Sequence, residues 1–293
     1  MNHNPQAAAA LITASAFMFA LTGATVKAAS AALPYTEVVF FRSALGLIAL
    51  APWLVRGGLT GLTTATPGLH LFRGLSGVAA MYCFFFALGH LELATAVLLN
   101  YSAPLFIPFI AAAWLGEPVP RSLRWAIPIG FVGIALILKP GLFFPTGGGR
   151  FDPAALIGVA AGVLAAVSFV TIRRLHDSEP TTRIVFYFGV ISTLISAIPL
   201  AWTWRTPDPA LWGLLATMGA SATGGQLLLT RAYALAPAAQ VGPFTYTVVL
   251  FSAALGWALW GEVPGPWSAV GTVLVVVAGI LAIQHRTPSG ASA

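Results

Sequence analysis

The chain has 293 residues, 58% hydrophobic and 8% charged, with a mean hydropathy of +0.88. A soluble domain carries about 25% charged residues, so this composition excludes one and makes lipid the main solvent. The net charge of +6 comes with no basic run longer than Arg173-Arg174, which argues against nucleic acid as a partner, and the single Cys83 excludes an intrachain disulfide and argues against a metal cluster.

A spanning helix needs about 20 mostly apolar residues. Ten such stretches occur, near 7–29, 35–55, 70–90, 94–115, 122–140, 153–175, 183–203, 209–233, 238–260 and 265–284. They are too long and too continuous for barrel strands, which alternate over about ten residues. The expected fold is therefore an all-α integral membrane protein of ten transmembrane helices.

The first stretch has no Lys or Arg before it, and Lys27 interrupts its end. Despite the small residues Ala28-Ala29-Ser30-Ala31 it reads as a helix and not a leader. It holds no carboxylate, which argues against carriage of lipophilic cations. The second stretch is interrupted by Glu37 and Arg42. Arg42 lies seven residues beyond Tyr35, about 10 Å along the axis, where it needs a carboxylate or a substrate anion. Glu37 is the candidate partner. The third carries Tyr82 and Phe84-Phe85-Phe86 and ends at His90. Lys27, Glu37, Arg42 and His90 are candidates for an outer gate or anion-attracting vestibule; the plainer reading is charges snorkelling to the interface.

The fourth stretch holds Asn100, Tyr101 and Pro104. A Gly/Pro-rich segment, Lys139–Pro153, follows the fifth and reads as a linker. The sixth carries Gly158 and Gly162 at the spacing that permits close helix contact, as do Gly219 and Thr223 in the eighth. Arg173, Arg174, Asp177, Glu179 and Arg183 read mostly as solvated loop charges. The eighth stretch also holds Gln226, and the ninth Pro243, Thr245 and Tyr246. Polar groups at mid-membrane depth are costly. Tyr82, Asn100, Tyr101, Gln226, Thr245 and Tyr246 are thus either partners in interhelical hydrogen bonds or cavity residues that meet a polar substrate. Pro104 and Pro243 each remove a backbone hydrogen bond beside these residues and are hinge candidates. Gly116-Glu117 and Gly261-Glu262 end the fourth and ninth stretches. Each Gly fits a left-handed cap, and each Glu opposes the helix dipole and needs a local partner.

With the N-terminus placed in the cytoplasm, eight Lys or Arg fall on the inner side, Arg73 among them, and four on the outer side. That excess predicts both termini inside. Tryptophans such as Trp53, Trp114, Trp202 and Trp260 fall near helix ends, where an apolar ring with a polar N–H belongs.

The chain nearly repeats itself at a shift of 145 or 146 positions. Lys27 meets Arg173, Pro34 meets Pro180, Tyr101 meets Tyr246, Gly116-Glu117 meets Gly261-Glu262, and Gly133-Ile134 meets Gly279-Ile280. Each half, 1–146 and 147–293, holds five helices. Five is odd, so the second copy enters the bilayer from the opposite side. Two inverted copies that exchange shapes are the basis of alternating access in many secondary transporters.

The string from Phe86 to Ala96 (Phe-Ala-Leu-Gly-His-Leu-Glu-Leu-Ala-Thr-Ala), the later Pro104-Leu105-Phe106 and Leu115-Gly116-Glu117 resemble the drug/metabolite transporter superfamily, EamA-type. Ala232-Tyr233-Ala234-Leu235-Ala236 and Trp260-Gly261-Glu262 resemble its second repeat. The resemblance covers nearly the whole chain. It implies two inverted five-helix repeats, with the first four helices of each around a central cavity and the fifth peripheral. No nucleotide-binding loop, metal-binding His-Glu-x-x-His or nucleophile elbow is present, so no enzyme, cofactor or metal is expected. The expected function is export of small metabolites across the inner membrane by alternating access. Amino acids, aromatic ones included, lead as substrates: a carboxylate for Arg and an apolar side chain for the phenyl rings. A carrier of anionic metabolites such as sugar phosphates or nucleotide sugars is the alternative, and needs two or more Lys or Arg converging in the cavity. A channel is the alternative of another class. The expected partners are a small-molecule substrate and the bilayer, with the chain as monomer or homodimer.

Overall fold

The computed structural model of the chain describes residues 5–57, 63–116, 123–138, 153–176, 178–235 and 242–284. All regular structure among them is helical. The elements are α1 (Pro5–Ser30), α2 (Tyr35–Gly57), α3 (Pro67–His90), α4 (Leu93–Asn100), α5 (Ala103–Leu115) and α6 (Leu123–Leu138) in the first half. The second half holds α7 (Pro153–His176), α8 (Thr181–Ala197), α9 (Leu200–Thr203), α10 (Pro209–Leu235), a 3-10 turn (Gly242–Tyr246), α11 (Thr247–Trp260) and α12 (Pro266–Gln284). Four stretches, Gln6–Ser30, Pro67–His90, Leu93–Leu115 and Pro153–Ile172, are long and apolar enough to cross a membrane. The expected linker at 139–152 and Glu117 lie outside the described residues.

Among the described residues the ten expected stretches appear as twelve helices, because proline breaks two of them, and the ninth opens with a 3-10 turn. The fourth stretch divides at Tyr101-Ser102. The Ser102 hydroxyl donates to the Leu99 carbonyl at 2.6 Å, and Pro104 falls in the first turn of α5, where its missing N–H leaves no helical bond unmade. The ninth stretch changes from 3-10 to α at Tyr246-Thr247, the repeat mate of Tyr101-Ser102. Both candidate hinge prolines, Pro104 and Pro243, thus stand in these breaks. The seventh stretch divides at Pro199 into α8 and α9. The caps at Gly116 (φ 67°) and Gly261 (φ 68°) are left-handed, as expected, and a Cβ there would be strained.

The helices pair in a pattern that survives exchange of the two halves. α1 packs on α10 and α7 on α3; α2 packs on α8, α4 on α11 and α6 on α12. Small residues make these contacts close. The Ser15 hydroxyl donates to the Gly225 carbonyl at 2.7 Å, and Thr22 and Ser221 share a hydrogen bond at 2.8 Å, both joining α1 to α10. A Cβ on Gly133 would lie 2.8 Å from the Gly271 carbonyl, so α6 and α12 touch backbone to backbone. Gly219 lies against the Leu45 side chain, where an added Cβ would come within 2.9 Å. The outer faces of α6 and α12, with Phe131, Val270 and Val273, are exposed; in a bilayer they meet acyl chains.

Gly158 and Gly162 do permit the close contact their spacing predicts, and they seat α7 on the α4–α5 break. A Cβ at Gly162 would lie 2.6 Å from the Ser102 hydroxyl and 2.7 Å from the Leu99 carbonyl. Overpacking of such a contact costs about 1–3 kcal/mol. Gly162→Ala is therefore expected to lower the melting temperature of the detergent-purified protein, whereas Gly68→Ala, with nothing within 4 Å of its Cβ, is not. Equal melting of the two variants would show that α7 does not bear on the break.

Candidate functional site

A cavity of about 390 Å³ lies at the centre of the bundle, within the range of small-molecule sites. Its walls come from α1, α2, α3, α4, α7, α8, α10 and α11, while α6 and α12 contribute no lining residue among those described. That is the arrangement the family resemblance implies: four helices of each half inside, the fifth outside. Most of the wall is apolar and aromatic, with Phe84, Phe85, Phe169 and Phe188 prominent. Among the described lining residues there is no Asp or Glu.

Two arginines enter this space, Arg42 from α2 and Arg73 from α3. The Arg73 guanidinium lies over the Phe188 ring at 4.0 Å, a cation–π contact. Its Nε and Nη1 atoms are buried without a hydrogen-bond partner among the described residues. The slot exists because residue 77 is glycine: a Cβ there would overlap Arg73 Nη1 and approach Phe188 to 2.7 Å.

Of the expected cavity residues, Asn100, Tyr101 and Gln226 line this space. The others stand outside it. Tyr82 turns its ring edge-on to Tyr35 at 6.2 Å, and its hydroxyl is buried without a partner among the described residues. Thr245 lies in the 3-10 turn away from the wall. Tyr246 is buried behind the wall, where its hydroxyl donates to the Tyr101 carbonyl at 3.4 Å and props the broken helix. Of the expected gate residues, only Arg42 reaches the cavity. The expected Glu37–Arg42 pair does not form. Glu37 is fully buried and its Oε1 accepts from the Arg205 backbone N–H at 2.5 Å, while its Oε2 has no partner among the described residues. Lys27 pairs instead with Glu262, donates to the Leu91 carbonyl at 2.6 Å and lies over the Trp260 ring. Glu262 also accepts from the Leu93 N–H at 2.7 Å, which supplies the local partner its position demands. His90 is exposed, stacked on Phe86 at 4.0 Å.

Sequence reasoning missed Arg73, which it placed at the inner interface. The helix begins at Pro67 and not at 70, so Arg73 lies six residues inside it, about 9 Å along the axis. The available signal was the Thr-Pro at 66–67, a helix start with Pro in the first turn.

Polar ties close the bundle at the two ends of α2. At the α2 N-terminus stand the Glu37–Arg205 and Lys27–Glu262 contacts. At the other end Glu179, read from sequence as a solvated loop charge, is buried. It accepts hydrogen bonds from Thr64 at 2.5 Å, Thr66 at 3.3 Å and Arg183 at 2.5 Å. His70, stacked on Tyr187, lies 3.7 Å from the same carboxylate. Burial pulls the Glu179 pKa up, but the bonds from Thr64, Arg183 and Thr66 and the Arg183 charge together hold it below its ordinary 4.5.

The chain was compared with known proteins. The EamA-like transporter family matches residues 6–139 and 152–284. A pseudopaline exporter of Pseudomonas aeruginosa is 36% identical over 96% of this chain and 96% of its own length. An S-adenosylmethionine uptake transporter of Rickettsia bellii is 28% identical over 85% and 84%. A riboflavin transporter of Vibrio cholerae is 27% identical over 98% and 96%. One solved structure superposes with a TM-score of 0.62 at 20% identity, over 94% of this chain and 96% of its own, and shares the fold.

The pKa of Glu179 is depressed on folding, so its stabilising contribution is full above the ordinary value of 4.5 and is lost as pH falls through its lower folded value. Glu179→Gln is expected to lower the melting temperature at pH 7, and the gap to the parent is expected to close as the medium is acidified below that range. A gap that persists in acid would mean the carboxylate charge is not what holds this end.

Proposed function

Because the chain belongs to the EamA-like transporter family, we propose that it exports small organic metabolites across the inner membrane and that the central cavity is where the substrate binds. The family is one of membrane transporters and not of enzymes. One observation carries the substrate reading: two guanidinium groups share an apolar cavity lined by no acidic residue among those described. Such a site calls for a negatively charged group, held by charge-assisted hydrogen bonds. The aromatic wall calls for an apolar portion beside it. Carboxylate-bearing metabolites meet both demands, and amino acids, aromatic ones included, belong to that class.

The convergence of two arginines is the feature required of a carrier of anionic metabolites, and it shifts weight from zwitterions toward anions. The relative sharing 36% identity is named an exporter, which supports outward transport here. The proposed mechanism is alternating access. The two halves, as inverted repeats, rock about the cavity, with Pro104 and Pro243 as hinges and with the ties at the two ends of α2 broken in turn. The exchange-invariant pairing of helices supports it. By the same reading, both chain ends face the cytoplasm.

Reconstitution in liposomes tests this. Saturable, trans-stimulated efflux of a carboxylate-bearing metabolite is expected; flux linear in concentration would point to a channel instead. Gly77→Ala displaces the Arg73 head group and is expected to cut the rate about 10-fold or more, the loss of a charge-assisted contact worth about 1.5–3 kcal/mol, with the fold intact on gel filtration. Gly68→Ala is expected to transport at the parent rate. Parent-like efflux by Gly77→Ala would remove Arg73 from the binding site.

A further inference from the structure

We infer that the preferred substrate carries two negative charges, on one small organic molecule with an apolar or aromatic body. This deepens the proposed function and rests on its reading of the cavity as the substrate site. Arginine stays protonated in proteins, so Arg42 and Arg73 bring two positive charges into one cavity. A charge partly withdrawn from water and left unpaired is costly, and Nε and Nη1 of Arg73 are buried with no partner among the described residues. Among the described residues the lining supplies no carboxylate to neutralise either one. The nearby carboxylates are engaged elsewhere. Glu37 accepts from the Arg205 backbone N–H, while Glu262 pairs with Lys27 and Glu179 with Arg183.

The neutral donors and acceptors of the wall, such as Asn100, Gln226, Ser168 and Ser192, orient a ligand without changing this count. Phe188 shields one face of Arg73 but does not neutralise it. The compensation therefore arrives with the ligand. A zwitterionic amino acid brings no net charge, and its ammonium group would join two guanidiniums in the same space, where like charges repel. A single carboxylate neutralises one arginine and leaves the other exposed to an apolar wall. A dianion satisfies both. Two carboxylates and one phosphate monoester share this chemistry. Both leave the rest of the molecule for the phenyl rings of Phe84, Phe85 and Phe169.

The test uses the full chain in liposomes and three probes with the same ring: phenylsuccinate, phenyl phosphate and phenylalanine. Efflux is measured against protein-free liposomes. At least one dianion is expected to leave about 10-fold faster than phenylalanine, and which one leaves faster assigns the two charges to two carboxylates or to one phosphate. Arg42→Gln and Arg73→Gln are each expected to erase most of that preference, slowing the dianion more than phenylalanine. Arg73→Lys, which keeps the charge, is expected to retain it and guards against loss through misfolding. Phenylalanine moving as fast as both dianions would overturn the inference while leaving the carrier reading intact. No protein-dependent movement of any probe would overturn both.

Discussion

Two guanidinium charges share one cavity whose lining, among the described residues, holds no acidic side chain, and the arrangement around them follows from the difficulty of keeping them there. Against an apolar wall each charge needs contact with something polarisable or polar. Arg73 has the face of Phe188 and the space left by Gly77. Arg42 opens onto the same cavity. Acidic residues that would silence these charges are used at the periphery instead, where they tie helices together. The result is a pocket whose electrostatic demand is left for a ligand to meet.

A pocket of this kind requires helices that do not pack continuously through the centre. The chain achieves this by breaking them. α4 stops at Asn100, and the turn at Tyr101-Ser102 presents Tyr101 to the cavity while Ser102 closes the exposed Leu99 carbonyl. Tyr246, at the equivalent break in the second half, supports Tyr101 from behind. Gly158 and Gly162 let α7 lie against this irregular backbone. Irregular backbone at membrane depth is tolerated where protein covers it or where it lines a cavity, and here it does both. The peripheral pair α6 and α12 gives the bundle its outer rim and leaves the interior to the other helices.

The two ends of the bundle are held by carboxylates in different ways. Glu37 and Glu262 accept backbone N–H groups from loops and helix starts, and Glu262 also takes Lys27. Glu179 gathers two threonines and an arginine. Apart from the Glu179–Arg183 pair, these contacts cross between the two halves. They therefore report on the relative position of the halves, which is the coordinate a rocking carrier must change.

Reading along the chain determined the all-helical class, the glycine caps at Gly116 and Gly261 and the near-repeat at 145 or 146 positions, and it marked Pro104 and Pro243 as hinge candidates. These follow from local chemistry: hydropathy over about 20 residues, the missing N–H of proline and the conformational freedom of glycine. It also marked Asn100, Tyr101, Gln226 and Arg42 as costly in lipid, and each lines the cavity. Only the tertiary structure decided which polar residue looks inward. Tyr82, Tyr246, Lys27 and His90 are as conspicuous in sequence as Tyr101, yet they face other helices or the surface, because rotation of each helix about its axis is set by packing partners that lie far away in the chain. Arg73 shows the same limit from the other side. Its depth depended on a helix start three residues earlier than hydropathy indicated, and its meeting with Arg42 and Phe188 depended on three helices converging.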